Sequence, residues 1–244
     1  MNKRPLIFVG CRQMMRELAV IAELNDIEVI GILDHHYYGN QDTIAGIPVL
    51  GDERWLLDQD NEKAKQFLRT CDFFPGNWHS GEEKNNKRDH SGLQLRLSRI
   101  NLLDNSGANV INLIHPDACI TGLRKSRFAN YKIGRGVQIH ANVYHAVDNI
   151  EIGDYSAFMS GNTCAHDVRI GRNVLAAPET YLFECDIKDN AYIGIYSRMN
   201  PIRRKGRITI GENATVWHSS EVIKDVPDNC FYTSNNRILR KKEI

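Results

Sequence analysis

Residues 150–170 read IEIGDYSAFMSGNTCAHDVRI, and their rhythm is neither helical nor that of a simple alternating strand. Ile152, Phe158, Cys164 and Ile170 stand six apart, and the register runs on through Ala176 and Leu182. After a one-residue slip it resumes at Ile187, Ile193 and Met199, and after a break at Ile210, Val216 and Val222. Two places before most of these stands another small or apolar residue, among them Ile150, Val168, Val174, Cys185, Ala191 and Ile208; Asn162 is the exception. Glycine follows at Gly153, Gly171, Gly194 and Gly211, where a tight corner benefits from the missing side chain. A sustained period of six predicts a parallel β-helix, with one short flat strand and one corner per hexad and three hexads per turn. Ile152 is therefore expected to stack on Ile170.

Working outward, the coil is expected over residues 115–227, roughly six triangular turns at this period. Residues 199–206, MNPIRRKG, interrupt the hexads and are expected to bulge out as a loop. Residues 228–244 form a capping tail with a basic end. The first hundred residues have another rhythm. The apolar run Leu6–Val9 ends at Gly10 and is followed by a helical pattern through Met14, Leu18, Ile21 and Ala22. A second strand, Ile27–Leu33, ends at Asp34. Residues 46–51 form a short extended piece, and Asp52 is placed to cap a helix carrying Trp55 and Leu56. Cys71–Phe74 is a third strand. A polar loop over residues 76–90 leads into a helix through Leu95, Ile100 and Leu103, which Gly107 ends. Asn109–Ile114 is another strand. Strands alternating with helices predict a small parallel, Rossmann-like α/β domain over residues 1–114, with Pro116 marking the boundary.

The 244 residues are 42% hydrophobic and 25% charged, with a net charge of +1, the profile of an ordinary globular protein. That balance gives no reason to expect nucleic acid or an acidic membrane as partner. Cys11, Cys71, Cys119, Cys164, Cys185 and Cys230 form no CxxC pair. Cys164 and Cys185 fall in the inward columns, as small apolar fillers in a reducing compartment. No run of about 18 apolar residues exists to span a membrane, and the first apolar run, closed by Gly10, is too short for a signal peptide. A cytoplasmic location is expected.

The candidate for chemistry is His166, followed by Asp167. Its slot, two places after Cys164, holds Asp154, Ser160, Arg172, Pro178 and Glu184 in neighbouring hexads, so this mostly polar column points out of the coil. A histidine there is a competent base at neutral pH, and an adjacent carboxylate is suited to set its tautomer. The bland alternative is a surface histidine, and the sequence leaves open whether Asp167 reaches the ring. Arg203, Arg204, Lys205 and Arg207 are either phosphate contacts or a solvated charge run.

Together, PLIFVGCRQMM, GILDHH and IPVLG in the first domain, VINLIHPDACI at the junction, NTCAHDVRIG in the hexads and EVIKDVPDN at the end are similar to the NeuD/PglD-type bacterial sugar O-/N-acyltransferases. The resemblance covers nearly the whole chain. It implies a left-handed β-helix, acetyl-CoA as donor and a sugar amine or hydroxyl, often nucleotide-linked, as acceptor. It also implies a homotrimer with sites between neighbouring coils, and no metal. His166 would take the acceptor's proton and Asp167 would orient it. The oxyanion donor would fall at Phe183 or Glu184, where this chain has lost a residue and has no glycine. Gly194 with Ser197 keeps the pattern beside the CoA arm, Trp217-His218 departs from it, and Arg203 and Arg204 would meet the CoA phosphates. In the first domain Gly10, Asp34 and His35 would bind the acceptor, Asp34 through a sugar or ribose hydroxyl, with a strand-end cap as its alternative. Gln13 and Met15 replace the later glycines of that turn, and His36, Tyr37 and Tyr38 stand ready to recognise a different acceptor. Two rival readings are a gamma-type zinc carbonic anhydrase using His140 and His145, and a non-catalytic sugar-binding scaffold. The favoured expectation is acetyl transfer to a sugar amine, ahead of a hydroxyl, in surface-glycan biosynthesis.

Overall fold

The structure, a computed structural model, describes residues 3–11, 14–76, 83–84, 87–88, 91–123, 130–146, 148–204 and 206–240, with 83, 84, 87, 88, 91, 92, 203 and 204 described by backbone only. The chain divides into two compact units, residues 1–113 and 114–244.

The first unit runs β1 (Leu6–Val9), α1 (Met15–Leu24), β2 (Val29–Leu33), β3 (Thr43–Ile44), β4 (Ile47–Gly51), α2 (Glu62–Thr70), β5 (Asp72–Pro75) and α3 (Ser91–Ser106). Its sheet has the order β3-β4-β2-β1-β5, with β1 parallel to β2 and β5. Every residue of β1 is buried, as expected of a central strand covered on both faces. From α1, Met15, Leu18, Ile21 and Ala22 pack inward at helical spacing, and the Phe8 and Phe74 rings meet edge to face. Two expected elements come out shorter. Asp52 caps Arg54 N–H at 2.8 Å, but the helix it starts is a single 3-10 turn, Glu53–Leu57. Of the expected strand Asn109–Ile114, only a bridge from Val110 to Phe73 and the pair Leu113–Ile114 form.

The second unit is a three-sided parallel coil. One face stacks Tyr131–Ile133, Ile150–Ile152, Val168–Ile170, Cys185–Ile187 and Ile208–Ile210. Ile152 pairs with Ile170, as the six-residue period requires. The inward side chains make one continuous core in which bulky Phe158 sits beside small Ala176, and Cys164 and Cys185 are fully buried fillers. Corners repeatedly use residues with positive φ, such as Asn149 (52°), Asn173 (54°), Asn190 (60°) and Asn229 (57°). Asparagine, after glycine, tolerates this left-handed backbone best. Because Val168 pairs with Cys185 while Thr163 pairs with Tyr181, the one-residue slip is absorbed in the corner between Leu182 and Cys185. The excursion at 199–206 contains the short helix Pro201–Arg204, its proline at the first position, where a missing N–H costs no bond. The tail is a further part of the coil: Cys230–Tyr232 adds a parallel strand to Thr215–Val216, and Ile238–Arg240 closes on it antiparallel. Among the described residues no helix is long and apolar enough to cross a membrane.

His145 points into the coil rather than out of it. It is fully buried, its Nδ1 lies 2.8 Å from the Tyr131 hydroxyl and its ring meets Phe158 edge to face at 4.7 Å. Burial pushes its pKa down to about 3, and that of His140 to about 4 with help from the neighbouring charge of His115. Both rings are neutral in the fold and bind a proton near pH 6.5 once unfolded. Their contribution is therefore complete above pH 6.5 and is lost as pH falls towards 4 and then 3. Lowering pH from about 7.5 to about 5 is expected to remove about 2 kcal/mol through His145 alone. Urea unfolding at the two pH values measures this, and His145→Gln, which cannot charge, should lose less of its own midpoint over the same range.

Candidate functional site

The corner Ala165-His166-Asp167 joins the strand Thr163–Cys164 to the strand Val168–Ile170. Cys164 is buried inward, and two residues on the imidazole lies outside, its side chain 45% exposed. Asp167 has a left-handed backbone, φ 55°, and its carboxylate turns back onto the preceding ring, with Oδ2 2.7 Å from His166 Nδ1. A proton held on Nδ1 by this contact leaves Nε2 as the basic nitrogen. The other Asp167 oxygen accepts from Asn149 Nδ2 at 2.9 Å, and Asn149 Oδ1 accepts from Asn130 Nδ2 at 2.5 Å. Hydrogen bonds from His166, first, and Asn149, second, hold the Asp167 carboxyl below the ordinary carboxylate range. The Phe183 ring meets the imidazole edge to face at 4.6 Å, fixing the plane in which it lies.

One turn on, Glu184 occupies the equivalent corner, also with positive φ (42°). A carboxylate oxygen of Glu184, one of Asp167 and a ring nitrogen of His166 lie within 4.8 Å of one another. The Glu184 N–H donates to the His166 carbonyl at 3.1 Å, which corrects the expectation that it serves a thioester oxyanion. Arg207 is anchored as well, by a fork of 2.6 and 2.8 Å to Asp186, so it is not extended towards a phosphate. Arg203 and Arg204 lie in the short helix, but their side chains and Lys205 fall outside the described residues.

In the first unit, the turn after β1 is filled by a side chain the sequence reading missed. Arg99, on α3, lies where a Cβ on Gly10 would stand, with Nη1 2.3 Å from that position. Gly10 (φ 80°) is thus required by its backbone and by Arg99 together. Arg99 Nη2 donates to Asp34 Oδ2 at 2.8 Å and Nε to Glu53 Oε1 at 3.1 Å. Asp34 is completely buried and also accepts from the N–H groups of Cys11 (2.9 Å) and His36 (3.0 Å). Glu53 takes the His35 N–H at 2.5 Å and faces His35 Nδ1 at 2.7 Å. Burial raises the Glu53 pKa, but the Arg99 charge and the His35 hydrogen bond outweigh it and leave the group below its ordinary value. Burial pushes the Cys11 thiol up to about 12, far from a reactive thiolate.

No family model and no curated protein matches the chain. Solved structures do. PerB from Caulobacter crescentus in complex with CoA and GDP-perosamine superposes with a TM-score of 0.74 at 20% identity, covering 96% of this chain and 97% of that one. A variant of perosamine N-acetyltransferase from the same organism, with the same two molecules, gives 0.74 at 18% identity over 96% of each chain. The acetyltransferase domain of PglB from Neisseria gonorrhoeae FA1090, in complex with acetyl coenzyme A, gives 0.72 at 21% identity over 96% of this chain and 97% of its own. The chain has the fold of these sugar acetyltransferases. Its second unit is accordingly a left-handed parallel β-helix following an α/β unit, the architecture that the hexads and the resemblance had implied.

Within that fold several expected site residues have other duties. Asp34 is a buried strand-end cap with every approach taken by Cys11, His36 and Arg99, so it offers nothing to a ribose hydroxyl. Gly10 admits Arg99 rather than a pyrophosphate. His35 is held on Glu53 and lies against the His36 ring, tilted 38° to it with 3.9 Å between ring centroids, leaving about a quarter of its side chain exposed. Ser197 is buried, and its hydroxyl donates to the Trp217 carbonyl at 2.8 Å instead of facing a CoA arm. Gly194 is needed because a Cβ there would lie 2.7 Å from His218 N. The carbonic anhydrase reading loses His145 to the interior of the coil. Arg99 did leave a trace in the sequence: Arg96 and Arg99 share the inward face of α3 with Ile100 and Leu103 at positions i, i+3, i+4 and i+7.

Removing the Asn149 amide should raise the Asp167 pKa towards its ordinary value; a carboxyl-carbon NMR titration of Asn149→Ala against the parent chain checks this. Arg99→Ala strands Asp34 and Glu53 without their counter-charge, and is expected to cost about 3–5 kcal/mol in urea unfolding.

Proposed function

We propose that the protein transfers the acetyl group of acetyl-CoA to the amine of an amino sugar, with His166 as general base and Asp167 holding its tautomer. The observation that carries this reading is the 2.7 Å contact between Asp167 and His166 Nδ1 on an exposed corner of the coil, in a fold shared with proteins whose structures hold CoA or acetyl coenzyme A. In this scheme the amine nitrogen attacks the thioester carbon while Nε2 of His166 takes the amine proton. Asp167 stabilises the imidazolium. The tetrahedral intermediate collapses with loss of the C–S bond, and the proton passes to the departing CoA thiolate. The Phe183 N–H, on the turn above, is the proposed oxyanion donor, and it would exchange its contact with the buried Cys185 thiol for the oxyanion. Arg203 and Arg204 are the proposed contacts for the CoA phosphates.

The acceptor class to test first is a nucleotide-linked amino sugar, as in the PerB complex. Its recognition must rest on groups other than Asp34, with His35 and His36 as candidates. A homotrimer with shared sites, a cytoplasmic location and a role in surface-glycan biosynthesis complete the proposal. His166→Ala should lower release of CoA thiol by about 100- to 10,000-fold, with unchanged circular dichroism and oligomer size. Turnover like that of the parent chain rejects the base assignment.

A further inference from the structure

We infer that Glu184 is the residue that selects an amine over a hydroxyl acceptor, by holding the acceptor's ammonium beside His166. This rests on the acetyl-transfer reading above and adds to it a residue that His-Asp chemistry alone does not require.

The argument begins with the missing residue. The corner Cys164-Ala165-His166-Asp167-Val168 is followed one turn later by the shorter Leu182-Phe183-Glu184-Cys185, and both corners deliver a strand into the same sheet. Shortening puts an acidic residue at the left-handed position directly above Asp167, tied down by its own N–H to the His166 carbonyl. Two carboxylates are thereby collected within 4.8 Å of each other and of the imidazole. Like charges so close repel unless a cation or a proton lies between them. Asp167 has His166 and Asn149 as hydrogen-bond partners and also feels the Arg207 charge. Among the described residues, no lysine or arginine pairs with the Glu184 carboxylate, and the nearby Arg207 is committed to Asp186. Glu184 is only partly buried, so its carboxylate is open to a cation arriving from solvent.

An amino sugar is mostly an ammonium at neutral pH, whereas its hydroxyl counterpart is neutral. A carboxylate at this distance draws in the first and gains little from the second. The bound ammonium gives one proton to solvent, and the resulting amine then attacks, its second proton going to His166. Glu184 acts on binding and placement, so its loss should appear in KM more than in kcat.

The test uses the full chain with GDP-perosamine and the same nucleotide sugar bearing a hydroxyl in place of the amine. For Glu184→Gln, KM for the amine should rise about tenfold, with kcat within about threefold and KM for acetyl-CoA unchanged. The preference for amine over hydroxyl should fall by a similar factor, and Glu184→Asp should recover part of it. Equal losses on both acceptors, a fall in kcat at constant KM, or a parent chain that favours the amine no more than the hydroxyl overturns the inference. So does turnover that EDTA abolishes and a divalent cation restores, since the three side chains would then be ligands. His166→Ala measured alongside separates the two claims: loss of turnover there with no effect in Glu184→Gln keeps the base and rejects the selector.

Discussion

A hexad is too short to bury anything alone, and that constraint governs the second unit. Its inward side chain is removed from water only when the next turn is laid directly over it, so each strand stays in register with its neighbours over many turns. Corners must then turn sharply at the same place each time, which puts one residue per corner into the left-handed region. Asn149, Asp167 and Glu184 are three such corner residues on successive turns. Their side chains, forced outward together, form the column on which the candidate site is built.

The same stacking explains how a site arises from ordinary structural parts. Asn149 to Asp167 is a ladder contact of the kind seen between Asn173 and Asn190 at 2.9 Å. At 167 the rung is a carboxylate with a histidine before it, so the ladder ends on an imidazole and fixes its tautomer. No strained geometry beyond the corner itself is needed. One deleted residue in the next turn then alters the electrostatics by bringing a second carboxylate alongside.

The first unit shows a contrasting use of charge. Asp34, Glu53 and Arg99 form a buried network, with the partly exposed His35 at its edge, at the carboxyl ends of β1 and β2, where α/β sheets commonly receive ligands. Here the place beside Gly10 is taken by the protein's own guanidinium. A network of this kind is costly to break and adds little net stability when intact, so its effect is to shape the turn rather than to hold the sheet. Under the proposed acetyl transfer, the acceptor would be recognised by different groups than a glycine-rich turn would supply.

The hexad period of residues 150–222, the two-part organisation, the inward columns and the outward direction of His166 were all determined by the order of residues, because period and side-chain polarity are local properties. The tertiary structure decided three things. It showed that Asp167 reaches Nδ1, which depends on a backbone angle of 55° that no composition rule specifies. It supplied the partners that let two polar residues occupy interior positions of the hexad: His145, six residues after Ile139, meets the Tyr131 hydroxyl, and Ser197, two before Met199, meets the Trp217 carbonyl. It joined Asp34 to Arg99 across 65 residues of chain, a meeting set by how α3 packs on the sheet and invisible to any reading of neighbours in sequence.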